Sequence, residues 1–290
     1  MKKMRVAEWN LHGMTGTGVS GSKYIFPGAL IHDSISGIDC PEVVVFTEFI
    51  SGSFDSKKDD IRKNALELKR SLDELGYFLI MTKPLERRNG VCIALRKDLG
   101  DSIDSMKNMK KLCEGNDNSP DFLAVGNDDV VIFGVRFISG GSNSRIQNWL
   151  KVVSNYKDKK VIAIGDFNRS KDKLINNQKF KRYNMEAEKL AGVRILRIHE
   201  CKDFGKCMGD LGDKGNSKEI NNKETSDHEL LAQNKFSILD HVITNFDTEV
   251  KVEYSWDFMK NIYDSVKNRA TYINMRCIPD HAILIAEVEI

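Results

Sequence analysis

The chain of 290 residues balances 44 Lys and Arg against 42 Asp and Glu, a net charge of +2, with 30% charged residues and only five prolines. That balance excludes a disordered or strongly polyanion-seeking chain, and no apolar run reaches the roughly 20 residues a bilayer crossing needs. The six cysteines are scattered without a CxxC pair and read as reduced thiols, and the length suits one domain over 1–290.

Met1–Arg5 leads straight into a strand with no apolar h-region, so the expectation is a cytoplasmic protein without a signal peptide. That first strand, Met4–Asn10, ends on a carboxamide and runs into a glycine-rich loop, 11–21, that lacks the Lys-Ser/Thr of a phosphate-cradling loop. His12 in this loop is either a contact for substrate or an exposed loop histidine. A short helix is expected over 28–39. A second strand, 43–47, ends at Glu48. Ile61, Ala65, Leu68, Leu72 and Leu75 recur at steps of three and four, one apolar stripe of a helix that starts near Ser56 and stops at Gly76. Strands follow at 77–82 and 90–96, with Arg87 and Arg88 on the turn between them.

Residues 101–120 are polar and read as a surface excursion. Strands at 122–126 and 130–138 flank the turn Asn127-Asp128-Asp129. Ile146, Leu150, Val153 and Tyr156 carry a helix back to Val161-Ile162-Ala163-Ile164-Gly165-Asp166-Phe167-Asn168. Strand, helix, strand in that length is a crossover unit of a layered α/β protein. The apolar run before Gly165 reads as a strand buried on both faces. Asp166 and Asn168 stand where it stops: an acid that can take a proton or hold a metal, and an amide that can hold an oxygen, or else a plain turn.

Residues 169–182 hold six basic side chains, Arg169 among them, and a single acid, Asp172. Phosphate contact and a solvated helix start are both open readings there. A polar loop excursion spans about 202–234. Strands are expected at 236–244 and 249–255, a helical or irregular piece at 257–269, and a last strand at 282–290 preceded by Asp280-His281. Asp240 and His241 are neighbours on one strand and so point to opposite faces.

Taken together, apolar runs end on Trp9-Asn10, Thr47-Glu48 and Gly165-Asp166-Phe167-Asn168, Leu239-Asp240-His241-Val242 lies inside a strand-like run, and Pro279-Asp280-His281 immediately precedes the last apolar run, in that order. The set resembles the endonuclease/exonuclease/phosphatase superfamily, the fold of pancreatic deoxyribonuclease, from Asn10 to His281. The resemblance implies an α/β (α+β) fold: a four-layered α/β/β/α sandwich of two packed, mostly antiparallel sheets with helices outside. It implies a phosphodiesterase using magnesium, or manganese in its place, with DNA as the expected partner and neither a membrane nor an obligate protein partner. Glu48 would be the metal ligand, helped by Asn10 or Asp280. Asp166 would orient or deprotonate the attacking water, Asn168 would hold phosphate or water, and His281 would exchange a proton with the phosphate, backed by Asp240. Arg136, Arg169 and His12 are the expected phosphate contacts.

Locally, Trp9–Gly13, Gly165–Ser170 and Ser139-Gly140-Gly141 look like the nuclease subunit of the cytolethal distending toxins. This chain departs from that pattern in carrying His12 for Gln, and Val135 or Arg136 where a second active-site histidine stands. Arg136 is a permanent cation that can bind phosphate but cannot shuttle a proton. Two other functions compete: a phosphatase or phosphodiesterase for a small or lipid phosphate (inositol phosphate or sphingomyelinase type), and a nucleic-acid-binding module that kept the fold and lost turnover.

Overall fold

Strands in this protein alternate faces with a period of two, and three separate apolar cores result. The computed structural model describes residues 2–11, 29–57, 59–84, 89–98, 106–115, 120–138, 143–177, 196–199, 238–255, 257–258 and 281–290. His12, Asp280, Arg87, Arg88, the 202–234 excursion and most of the expected 257–269 piece lie outside them.

In chain order the elements are β1 (Lys3–Asn10), α1 (Ala29–Gly37), β2 (Val43–Phe49), a 3-10 turn (Ser51–Asp55), α2 (Asp59–Glu74), β3 (Tyr77–Met81), β4 (Gly90–Arg96), β5 (Lys110–Glu114), β6 (Phe122–Gly126), β7 (Val130–Arg136), α3 (Asn143–Ser154), β8 (Lys160–Asp166), α4 (Lys171–Ile175), β9 (Arg197–His199), β10 (Asp240–Thr244), β11 (Val250–Ser255) and β12 (Ile283–Glu289). They build two six-stranded sheets, ordered β11-β12-β1-β2-β4-β3 and β5-β6-β7-β8-β10-β9. Among the described pairings, only β1–β2 and β7–β8 run parallel. Each of those pairs is joined by a connection carrying a helix, as a parallel crossover requires.

The sheets pack face to face, with helices on the outside of both, in the four-layered arrangement expected. Val6, Val43, Val45, Ile93, Ile132, Ile162, Ile164 and Leu284 fill the space between the sheets. The opposite faces of the same strands pack elsewhere: Trp9, Val44 and Phe46 lie with Leu68 and Leu72 of α2, and Phe133 and Ala163 lie with Trp149 and Val153 of α3. Gly134 of β7 allows the close approach of the sheets, since a Cβ there would stand 2.7 Å from Val45 Cγ1 and 2.8 Å from Val91 Cγ1.

Two strands were not expected. β5 lies inside the stretch read as a surface excursion. It is an edge strand, its Lys110 and Lys111 exposed and its register shifted between Lys111 and Cys113. Charges and a bulge protect such an edge from foreign pairing, and they also erase the alternation by which a strand is recognised. β9 has three residues, too short for any periodicity to show. β7 ends at Arg136 rather than at 138, and β10 begins at Asp240.

Candidate active site

Alternation explains how the polar residues meet. The row of β1 that faces the second sheet is Met4, Val6, Glu8, Asn10; in β2 it is Val43, Val45, Thr47; in β7, Val130, Ile132, Gly134, Arg136; in β8, Ile162, Ile164, Asp166. Val242 is the inward residue of antiparallel β10, which places Asp240 on the same side. Every inward row is apolar along the middle of the sandwich and polar at one end. That end is the carboxyl end of the parallel strands, and His281, just before β12, joins it.

Asp240 is the Cα partner of Asp166 across the β10–β8 ladder. Its Oδ2 lies 2.8 Å from His281 Nδ1, and both residues are buried. A carboxylate accepts, so Nδ1 carries the proton and the basic lone pair falls on Nε2. Tyr254 Oη donates to the Asp240 carbonyl oxygen at 2.7 Å, fixing the start of β10.

Asp166 is held by three donors. Asn10 Nδ2 reaches its Oδ2 at 3.2 Å, Asn168 Nδ2 reaches the same oxygen at 2.6 Å, and the Asn168 backbone N–H reaches Oδ1 at 2.8 Å. The last bond is an Asx turn, so the turn and the polar site foreseen as alternatives are one structure. Asn168 takes a left-handed conformation, φ 49°, which an asparagine tolerates. Burial first, and then the Asp240 charge, pushes the Asp166 carboxyl up to about 8, opposed by His281 and the Asn168 N–H. A carboxyl poised there can exchange a proton near neutral pH.

Glu48 owes its direction to a bulge. The β2–β4 register shifts between Thr47 and Phe49, and Glu48 between them has φ 51°. Thr47 faces the sheet interface and Phe49 the helices, while the extra residue is aimed at the site. Arg136 Nη2 donates to Glu48 Oε1 at 3.2 Å. Two residues expected in separate roles, metal ligand and phosphate contact, are thus ion-paired. Arg169 is adjacent, its Nη1 on the Asn168 carbonyl oxygen at 2.8 Å. Its own carbonyl accepts from His241 Nε2 at 2.7 Å, and the His241 ring packs on Phe167 on the helix side of the sheet. His241 is structural, as the alternation in β10 requires.

The structure therefore brings Asn10, Glu48, Arg136, Asp166, Asn168, Arg169, Asp240 and His281 to one end of the sandwich. Sequence reasoning missed Glu8. It is completely buried, accepts from Thr47 Oγ1 at 2.7 Å, and has its second oxygen buried without a partner among the described residues. Its position two before Asn10 on β1 was the available signal. Burial, and after it the Asp240 charge, raises the Glu8 carboxyl well above the ordinary range, against the pull of Thr47. Both causes favour the neutral form of Glu8 behind the Asp240–His281 pair. Glu8→Gln, an isostere of that neutral form, is expected to leave the urea midpoint within about 1 kcal/mol of the parent, whereas Glu8→Ala opens a cavity and costs about 2 kcal/mol or more. A Gln variant as unstable as the Ala variant would show that the carboxyl is buried charged.

Magnesium takes hard oxygen ligands, commonly one or two carboxylates, and keeps several waters. Glu48, whose side chain is 20% exposed, and the Asn10 carboxamide oxygen are donors of that kind. No group of three His, Cys, Asp or Glu arranged for a metal exists among the described residues. The donor set fits a sparse single-ion site.

No protein-family model matches the sequence, and no curated protein matches it. Solved structures do match in fold. Truncated TDP2 from Caenorhabditis elegans superposes with a TM-score of 0.56 at 10% identity, covering 99% of this chain and 98% of that one. An endonuclease/exonuclease/phosphatase family protein from Bacteroides thetaiotaomicron gives 0.55 at 14%, over 99% and 97%. The 3' phosphatase NExo from Neisseria, bound to a product DNA hairpin, gives 0.54 at 13%, over 99% and 100%. The chain shares the fold of these proteins over almost its whole length.

Proposed function

We propose that this chain, built on the fold of the endonuclease/exonuclease/phosphatase proteins, is a divalent-metal-dependent phosphoester hydrolase whose substrate is DNA. The observation that carries the reading is the Asp240–His281 pair set across one ladder from an Asp166 carboxyl held by Asn10 and Asn168.

Hydrolysis of a phosphodiester requires a water to lose a proton and the charge growing on phosphorus and on the departing oxygen to be neutralised. Asp166 in its ionised form is the proton acceptor and orients the water, and with the carboxyl up at about 8 that form grows as pH rises through that value. Asn168 and Asn10 fix the acceptor's rotamer, so no rearrangement is needed as the water gives up its proton and attacks phosphorus. His281, its tautomer set by Asp240, faces the phosphate with Nε2. Glu48 and Asn10 would hold the metal, which would supply Lewis-acid charge neutralisation at the phosphate. Arg169, with Lys171 and Lys173 on the first turn of α4, lies where the flanking backbone of a strand would pass. A DNA hairpin bound to a protein of the same fold supports that choice. The local sequences Trp9–Gly13 and Gly165–Ser170 favour, within the fold, a likeness to the toxin nuclease subunit.

The test is incubation with supercoiled plasmid, single-stranded DNA, RNA and a phosphoinositide, each with magnesium or with a chelator. Plasmid nicking that needs metal and disappears in Asp166→Ala is expected. Turnover of the phosphoinositide alone would replace DNA by a small phosphoester, and nicking that survives Asp166→Ala would remove the mechanism.

A further inference from the structure

The mechanism leaves one strong charge without a task. Arg136 is the last inward residue of β7. Its backbone N–H is tied to the Asp121 carbonyl oxygen at 2.7 Å, and its Cα pairs with that of Asp166 in the parallel ladder. The side chain is only 10% exposed. The guanidinium presents Nε and Nη2 along one edge, the edge that grips a carboxylate or a phosphate with two parallel bonds. Only half of that edge is used. Nη2 is on Glu48 Oε1, while Nε is buried and has no hydrogen-bond partner among the described residues. A buried guanidinium donor left unmatched is costly, and a monodentate bond to a carboxylate is a poor use of such a group.

The same Glu48 carboxylate is the charged member of the Glu48–Asn10 donor set suited to a hard cation. A guanidinium and a divalent ion cannot both draw on one carboxylate without repelling each other. An added anion bridging the two cations relieves that repulsion, and a phosphoester is such an anion.

We propose that Arg136 guards Glu48 in the metal-free protein and passes to the substrate when metal arrives, so that divalent metal and phosphate bind cooperatively. This rests on the metal-dependent reading of the site. Arg136 then takes a non-bridging phosphate oxygen through its full Nε–Nη2 edge, Glu48 turns to the cation, and neither ligand alone binds well. The coupling must be reciprocal: phosphate tightens metal by the same factor by which metal tightens phosphate. An arginine keeps its charge at any working pH, so the coupling does not depend on a proton leaving this side chain.

Calorimetric titration of the metal-free protein with manganese, with and without saturating inorganic phosphate, measures this without any turnover. In the parent, phosphate is expected to tighten manganese at least about fivefold, the lower end of ordinary coupling. Arg136→Met should bind manganese about tenfold tighter at low salt in the absence of phosphate, since a neighbouring positive charge is gone, and phosphate should then add almost nothing. Arg136→Lys, which keeps the charge but not the two-pronged edge, should keep weak manganese binding and lose most of the coupling. Glu48→Gln should bind phosphate without metal better than the parent does. Manganese binding that is unchanged or weaker in Arg136→Met, or coupling that survives in it, overturns the proposal while leaving the metal-dependent function standing. If neither the parent nor any variant binds manganese, both fall together. Should Arg136→Met fail to fold, the Lys and Gln variants decide between the same outcomes.

Discussion

His281→Ala lowers kcat by about 10²–10⁴-fold, the range a positioned acid–base group supplies, with KM little changed and the fold retained. The residue lies before β12 rather than inside it, and its ring is held by a buried carboxylate, Asp240 Oδ2 at 2.8 Å. Removing the imidazole therefore removes a proton-exchanging group without emptying an apolar core. Asp240→Asn should cost nearly as much, because an amide at that position no longer selects the Nδ1–H tautomer. The double variant should be little worse than His281→Ala alone, as residues acting as a unit are strongly non-additive. Stability should move the other way. Asp240 is fully buried and its Oδ1 has no hydrogen-bond partner among the described residues, so a neutral amide there removes the cost of a desolvated charge, and the metal-free Asn variant should melt no lower than the parent. Steady-state kinetics on the substrate found in the panel, together with thermal melts, checks both halves. A His281→Ala enzyme within threefold of the parent would remove the Asp-His pair from the mechanism.

Gly165→Ala is expected to be among the most damaging single-atom additions in the chain. Gly165 is the residue before Asp166, with φ 152°, and a Cβ there would stand 2.0 Å from the Val135 carbonyl oxygen and 2.8 Å from Val135 C and N. Those are backbone atoms of the neighbouring strand, paired in register with Gly165, and they cannot rotate away as a side chain could. The methyl must separate β7 from β8 at the point where Arg136 and Asp166 leave their strands. A cost of about 3 kcal/mol or more follows from overpacking and strain, which for a domain of this size is roughly 6–12 °C in Tm. Gly37 at the end of α1 has nothing within 4 Å of the same added atom, and Gly37→Ala should stay within about 1 kcal/mol of the parent. Thermal denaturation of the pair is the measurement. Equal melting points would mean that the β7–β8 approach is looser than drawn.

The glycine also shows how local and tertiary information divide. From the sequence, a glycine before Asp166 means only that some group comes close. That the group is the Val135 carbonyl, beside the arginine of the next strand, depends on the pairing of β7 with β8 through the α3 crossover.

The larger division is similar. The sequence by itself determined which polar residues stand at the ends of the longer apolar runs: Asn10, Glu48, Asp166 and Asn168 were legible where runs stop, and Asp240 and His281 beside the start of others. It also determined that His241 turns away from Asp240, because a period of two is a local property of one strand. What it could not carry was which inward rows confront each other, since that is settled by pairings between residues up to a chain-length apart. Only the tertiary structure buried Glu8 behind Asp240, aimed Glu48 through a bulge that leaves no mark in composition, and set Arg136 against it. Burial and charge neighbours, the two causes that shift a carboxyl, are set by atoms remote in sequence; the residue types were written in the chain, and their protonation and pairing were written in the contact between two sheets.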